Sequence, residues 1–398
     1  MTVTIASNTA ASVFAKIEDL ADVFSANADL SEDMGRLSDA TAQALKQTGV
    51  MRMLQPREFG GMETHPCDYL KAVLEIGVRD GSAGWVSGVV GVHPHELAHG
   101  HRQMQEEVWG QDPDTWVASP YAPFGRAVPT EGGYRFTGRW SYSSGTDHCQ
   151  WVMIGGLIAD EDGTVTDPVV KHFVLPRGDY EIVEGSWDVM GLKGTGSKDL
   201  VARSVFVPWY RVIDTVGITE GTGGHDPSRQ ENPLYRMPRN IMFSGVITGG
   251  TLALAKGTLV AFIAYAQNRE SRMGKASTDP VLLATLGAAA ADIDVSILSL
   301  LHDTERIYDI CAAGRIPTLE ERAEVRRNQV RASHRAVAAA DSIFKIAGGH
   351  AIYRVSSLQR HWRDAQTALH HVSNQEAPIY NAWGLNLFGH PVPAAVKI

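Results

Sequence analysis

The hydrophobic pattern changes its period twice along this chain, and that double change constrains the fold more than any single motif. From residue 10 to about 112 apolar residues recur at helical spacing. In VFAKIEDLADVF, Val13, Ile17, Leu20 and Val23 stand three or four apart and form one stripe. ATAQALKQTGVMRML continues in this style until Pro56 and Gly60–Gly61 interrupt it, and Tyr69–Val78 is helical again. From about 113 to 213 the signal becomes one of short strands. YRFTGRWSYSSG, WVMIGGLIAD, VVKHFVLP, YEIVEGSW and DLVARSVFVP are rich in β-branched and aromatic residues, with Gly, Pro and Asp between them. Strands without intervening helices predict a compact antiparallel β unit. Residues 214–238, with TEGTGGHDPSRQENP, read as a loop. From about 239 the helical pattern returns. Asp279 before Pro280 is an N-cap with proline at the first helical position. Thr318 and Glu321 form a capping box that opens a helix stopping at Gly348–Gly349. Four long helices with short connections predict an antiparallel bundle.

The fold class is therefore α+β, with an N-terminal helical segment (1–112), a central β segment (113–228) and a C-terminal helical bundle (229–398). A length of 398 residues agrees with two or three domains at about 150 residues each. Apolar residues at 44% against 20% charged supply enough burial to exclude wholesale disorder. The net charge of −9 argues against a nucleic-acid partner, which would call for a basic stripe. Cys67, Cys149 and Cys311 have neither disulfide nor metal spacing, so a reduced, cytoplasmic setting is expected. The N-terminus has no basic n-region before an apolar run. The longest apolar stretch, GTLALAKGTLVAFIAYA, is interrupted by Lys256, and no membrane span is expected.

Several segments hold chemistry-bearing residues that remain ambiguous alone. His95-Glu96-Leu97-Ala98-His99 matches H-E-x-x-H, the zinc-protease pattern, without its usual continuations; the plainer reading is a polar helical turn with solvent-facing histidines. GLKGTGS (191–197) leads into a strand rather than a helix, so it reads as a turn between strands and not a dinucleotide loop. No other segment offers a nicotinamide site. Ser143 and Ser144 end an aromatic strand without the G-x-S-x-G context of a nucleophile. His93, after GWVSGVVGV, and His370–His371 are undecided by themselves.

Taken together, PREFGG (56–61), GLKGTGSKDLVARSVFVP (191–208), YAQNR (265–269) and FKIAGGHAIYRVSSLQRHWRDA (344–365) resemble the acyl-CoA dehydrogenase superfamily, in its order and over nearly the whole chain. The superfamily's architecture is the helical, β and four-helix-bundle succession read above. Its dehydrogenases carry a catalytic Glu eight residues after the Asp of R-D-A, where this chain has Val372, and residues 241–269, the other known location, contain no Glu. α-Proton abstraction needs such a base. GWVSGVVGVH (84–93), SPYAP (119–123), SSGTDH (143–148) and His371 instead resemble the oxygenase components of two-component flavin monooxygenases that hydroxylate phenols, including secosteroid phenols.

That resemblance implies a set of roles. His93 would deprotonate the phenol, Ser119 would hydrogen-bond its oxygen, Ser144 would sit at flavin N5, and His371 would lie against the C4a-hydroperoxide. Tyr142 stands where the family has Trp beside the flavin ring, with Ser143 adjacent, and Arg269 matches the arginine that meets the flavin phosphates across a subunit interface. Lys345 replaces a Gln that contacts the adenosine half in dehydrogenases, which favours reduced FMN slightly over reduced FAD. The missing nicotinamide site implies a separate NAD(P)H:flavin reductase, with O2 as co-substrate and ortho-hydroxylation of a small aromatic as the reaction. The family's usual assembly is a homotetramer. The alternatives are a monooxygenase of the same fold acting on sulfur or nitrogen, an acyl-CoA dehydrogenase-like oxidoreductase, a zinc hydrolase resting on HELAH, and a non-catalytic flavin-binding protein.

Overall fold

The computed structural model describes residues 9–267, 269–271, 274–393, 396 and 398. Asn268 of YAQNR lies outside the described residues, as do residues 1–8, on which the expectation of no export leader partly rests. Among the described residues, the N-terminal segment folds as seven α-helices: α1 (Ala10–Asp19), α2 (Ala21–Met34), α3 (Asp39–Thr48), α4 (Pro66–Arg79), α5 (Gly81–Gly91), α6 (His93–Leu97) and α7 (Arg102–Trp109). The stripe expected to run through Val13, Ile17, Leu20 and Val23 breaks at Leu20, where one helix ends and the next begins. Val13 and Ile17 are buried as expected, but beyond the break the phase shifts and Phe24 takes the core position instead of Val23. Helix α5 is apolar all round and buried at every position, because it passes through the centre of the molecule. Gly84 makes that path possible: a Cβ there would lie 2.2 Å from the Gly77 Cα of α4.

The central sheet has eight strands: β1 (Val117–Ala118), β2 (Gly125–Thr130), β3 (Gly133–Ser143), β4 (Trp151–Ala159), β5 (Val165–Pro176), β6 (Glu181–Val183), β7 (Lys198–Pro208) and β8 (Val212–Asp214). Their order is β6-β7-β3-β2-β4-β5-β8, with β1 beside β4. Most pairings are antiparallel as expected, but β1 and β2 both run parallel to β4. Sequence could not show this, because the pattern that marks a strand carries no information on which neighbour it chooses. The expected loop at 214–238 contains two short helices, α8 (Thr215–Glu220) and α9 (Pro233–Arg236), capped by Asp214 and Asn232.

The C-terminal bundle comprises α10 (Arg239–Gln267), α11 (Pro280–Ala312), α12 (Leu319–Ile346), α13 (Ser357–Ala368) and α14 (Glu376–Leu387), with a hairpin of β9 (Glu270–Ser271) and β10 (Gly274–Lys275) between α10 and α11. The caps read from sequence are present. Asp279 accepts from the amides of Val281 and Leu282 at 2.9 and 3.1 Å. Thr318 and Glu321 cap each other's amides at 3.2 and 2.8 Å. Helix α10 packs against α4, α5, α11, α12 and α13, so it joins the bundle to the N-terminal helices. By length and hydropathy α10 and α11 could each cross a membrane, contrary to the expectation drawn from Lys256. Of the apolar window in α10, 78% is buried inside the fold, against 22% in α11. Lys256 lies within α10, its half-buried side chain paired with Asp294 at 2.8 Å.

Candidate active site

Helix α5, the sheet and the bundle meet at a cavity of about 470 Å³. Its wall is mostly apolar, with Trp85, Val89, Leu192 and Phe243 among the lining residues, and its polar groups are hydroxyls and imidazoles. No carboxylate lines it among the described residues, and Val372 is part of the wall. Of the residues singled out from sequence, His93, Ser119, Tyr142, Ser144 and His371 converge here, together with His370. Ser143 does not line the cavity: its side chain is fully buried beside them and its Oγ has no partner. Arg269 lies away from the cavity, where its guanidinium donates to the Ala347 carbonyl and covers the Tyr265 ring at 5.4 Å.

His93 opens α6 directly after α5, and its position on α5's exit fixes its two neighbours. Its Nδ1 meets the Val117 carbonyl, which can only accept, so the ring proton sits on Nδ1. Nε2 is therefore the acceptor, and it takes the Ser119 Oγ–H at 2.7 Å. Burial pushes this imidazole down to about 4, which keeps it neutral and accepting at neutral pH. His371 has the opposite polarity. Its Nδ1 accepts from the Ser373 amide at 3.1 Å, so in the neutral ring the proton is on Nε2. Trp85 and Phe243 hold the ring at 5.9 and 6.0 Å between centroids.

Ser144 follows an irregularity in β3: the register against β7 shifts between Trp140 and Ser143, and Tyr142 takes a positive φ of 71°. Bulges of this kind re-aim side chains next to functional sites. Here the Tyr142 ring stands 72% exposed at the cavity mouth, with Trp187 edge-on at 6.2 Å. The Ser144 hydroxyl ends a chain of hydrogen bonds. Thr195 Oγ1 donates to the Leu192 carbonyl at 2.7 Å, so its oxygen accepts from Ser197 at 2.7 Å, and Ser197 in turn accepts from Ser144 at 2.6 Å. Each hydroxyl has one proton, so the carbonyl at the end sets the direction and leaves Ser144 Oγ an acceptor toward the cavity. GLKGTGS is the turn between strands that its context indicated, and sequence reasoning missed that Thr195 and Ser197 supply this chain. Only the spatial pairing of β3 with β7, in which Ser143 faces Lys198, brings them to Ser144.

The H-E-x-x-H segment is neither a metal site nor a solvent-facing turn. Helix α6 covers only His93–Leu97, and His95, Glu96 and His99 are all buried. His95 Nε2 donates to the Leu234 carbonyl at 3.0 Å. Glu96 is committed to Arg239, whose Nε donates at 2.6 Å, and to His172 Nδ1. Burial alone would raise the Glu96 carboxyl, but Arg239 and His172 outweigh it and hold the group well below the usual carboxylate range.

Reduced flavin carries a proton on N5, and the residues present fit it: an inward acceptor at Ser144, an exposed aromatic face at Tyr142 and an apolar, carboxylate-free wall. An acyl-CoA dehydrogenase-like fold built around such a cavity defines a flavin oxidoreductase that lacks the carboxylate base of the dehydrogenases. The family model for the acyl-CoA dehydrogenase C-terminal domain matches residues 241–376. The pigment production hydroxylase of Rhodococcus erythropolis is 44% identical over 95% of this chain and 96% of its own length. The oxygenase subunit HsaA of a flavin-dependent monooxygenase from Mycobacterium tuberculosis is 37% identical over 96% of each chain. The crystal structure of the HsaA monooxygenase superposes with a TM-score of 0.90, covering 97% of this chain and 99% of that one at 35% identity. The chain belongs to the oxygenase components of flavin-dependent monooxygenases within the acyl-CoA dehydrogenase superfamily, and it is a hydroxylase.

Proposed function

We propose that the chain ortho-hydroxylates an uncharged phenol in this cavity, using O2 and reduced flavin delivered by a separate NAD(P)H:flavin reductase. The observation that carries the reading is the pair of histidines that accept through opposite ring nitrogens, His93 through Nε2 and His371 through Nδ1, on the wall of one apolar cavity. Bound reduced flavin would supply oxygen in an electrophilic form. Tyr142 and Ser144 would hold it, with Ser143 behind them; Arg269 would reach its phosphate from a neighbouring subunit.

The chain's own task is proton and substrate management. A phenol ionises near pH 10 and burial holds His93 below its ordinary value, so complete transfer to His93 before reaction is uphill. The proton instead moves as the ring carbon bonds to oxygen, when the phenol O–H becomes strongly acidic, and His93 Nε2 receives it, either directly or through Ser119 Oγ, which takes the phenol proton as it passes its own to His93. Ser119 hydrogen-bonds the phenol oxygen and orients the ring. The Nε2–H of His371 can donate to the oxygen being transferred. Trp85, Leu192 and Phe243 exclude water, and a cavity of about 470 Å³ without a charged wall suits a polycyclic, neutral phenol better than an acidic one.

Lys345 turns to Asp341 at 2.6 Å rather than toward a cofactor, in keeping with a preference for reduced FMN over reduced FAD, which comparative titration of the two reduced flavins measures. The exposed apolar residues Val281, Val295 and Leu298 of α11 support assembly through the bundle into a homotetramer. Three buried free cysteines suit a reducing cytoplasm. The direct test mixes the purified chain with NADH, FMN and a phenol. Catechol should form only when a flavin reductase is added; substantial product without it would overturn the two-component reading.

A further inference from the structure

The buried cluster behind His93 is unused by the chemistry above, yet it touches the segment that instructs His93. Tyr121 lies two residues beyond Ser119 and four beyond Val117, the two groups that fix the His93 proton. Two planar groups pack on its ring. The Arg239 guanidinium sits 4.3 Å from the ring centroid, and His172 stacks at 4.6 Å and 20°. Phe243 closes one edge at 4.8 Å, and His93 itself meets the ring edge-on at 5.7 Å. Glu96 holds the two clamping groups together, binding Arg239 through one carboxylate oxygen and His172 through the other. The backbone is pinned as well: the Gly155 amide donates to the Pro120 carbonyl at 3.1 Å, and a Cβ at Gly155 would lie 2.2 Å from the Tyr121 carbonyl oxygen.

We propose that Tyr121, gripped by the Glu96–Arg239–His172 cluster, is a positioning residue that holds Val117 and Ser119 against His93 and so keeps Nε2 the proton acceptor. A buried ion cluster is poorly repaid as a source of stability, since hydrophobic packing of equal volume often does as well. Its value here is a fixed geometry. A buried ring with two hydrogen-bonded planar groups packed on it has little rotational freedom, and Ser119 is only two residues from it. The groups facing His93 are Glu96, which favours its protonation, and Arg239 and His172, which oppose it. Their opposing signs leave position, not net field, as the main effect of the cluster.

The inference rests on His93 as proton acceptor, and the test separates the two. Tyr121→Leu and His172→Gln remove the clamp without leaving an unpaired charge, and His93→Ala serves as reference. The probes are 4-ethylphenol and the more acidic 4-cyanophenol, with product counted per reduced flavin consumed. Both clamp variants should lose about 10-fold with 4-ethylphenol at neutral pH but about threefold or less with 4-cyanophenol, which needs less help in losing its proton. The 4-ethylphenol loss should close toward roughly pH 10, where the free phenol is itself ionised. A crystal structure of Tyr121→Leu should show Ser119 Oγ out of hydrogen-bond reach of His93. Equal losses for both phenols at every pH, or no loss, would overturn the clamp. If His93→Ala shows the acidity-dependent loss and the clamp variants do not, only this inference fails; if His93→Ala keeps full coupling, the base assignment fails with it. Should one clamp variant not fold, the other carries the same comparison.

Discussion

At Ser144 the direction of hydrogen bonding is decided at a distance, by the Leu192 carbonyl at the end of the Thr195–Ser197–Ser144 chain. Ser144→Ala removes the acceptor that, in the proposed reading, would face the flavin. A neutral hydrogen bond contributes about 1 kcal/mol, so coupling of oxygen to product should fall about fivefold, the balance leaving as hydrogen peroxide. Ser197→Ala leaves Ser144 in place but frees its proton, and a smaller loss, about twofold, is expected in the same peroxide assay. Sequence pointed to five of the cavity's polar residues, His93, Ser119, Tyr142, Ser144 and His371, because each lies in a segment whose resemblance carries a role. The roles of Ser197, Thr195 and Tyr121 were not legible although GLKGTGS and SPYAP contain them: a hydroxyl or ring in a turn has no periodic signature, and the decisive contacts, Ser197 with Ser144 and Tyr121 with Arg239 and His172, join residues far apart in the chain. Glu96 was visible only under the wrong description, since H-E-x-x-H states spacing along a helix that here ends at Leu97.

Among the elements, α5 is held at its start by a strained electrostatic choice. Asp80 caps it by accepting from the Ala83 amide at 3.1 Å, while its second oxygen is buried without a partner. Burial raises the Asp80 carboxyl to about 7, and the neighbouring Asp364, itself raised by burial to about 6, adds to the effect. A carboxyl whose folded pKa lies above its unfolded value stabilises less as pH climbs from about 4 through 7, because the unfolded chain ionises first. Asp80→Asn keeps the cap and removes the titration. The variant should melt increasingly above the wild type as pH rises toward 8, by on the order of 2 kcal/mol, and the gap should close near pH 4. Calorimetry across that range checks the sign. The helices with strong caps, α11 and α12, were readable because a cap is local chemistry. The break at Leu20 and the parallel pairing of β2 with β4 were not, since both are settled by what the element packs against.

For the molecule as a whole, the succession of helices, sheet and bundle was the most legible feature, because changes in hydrophobic period survive every local ambiguity. What the sequence left open was the convergence of these three parts on one cavity. The outer face of α11 has consequences at this scale too: Val295 and Leu298 are 49% and 64% exposed. If the chain assembles as the proposed homotetramer through this face, replacing both by Glu should shift the sedimenting species to smaller forms, whereas an unchanged sedimentation profile would count against an interface here. The central claim is that O2 is split in this cavity and one of its atoms is placed on a phenol. Single turnover under ¹⁸O2, with pre-reduced FMN, the wild-type chain and 5,6,7,8-tetrahydro-2-naphthol, measures this directly. The expected product is an ortho-catechol carrying one ¹⁸O atom, with little peroxide. Unaltered naphthol with all the label in hydrogen peroxide, or a catechol whose new oxygen comes from water, would contradict it.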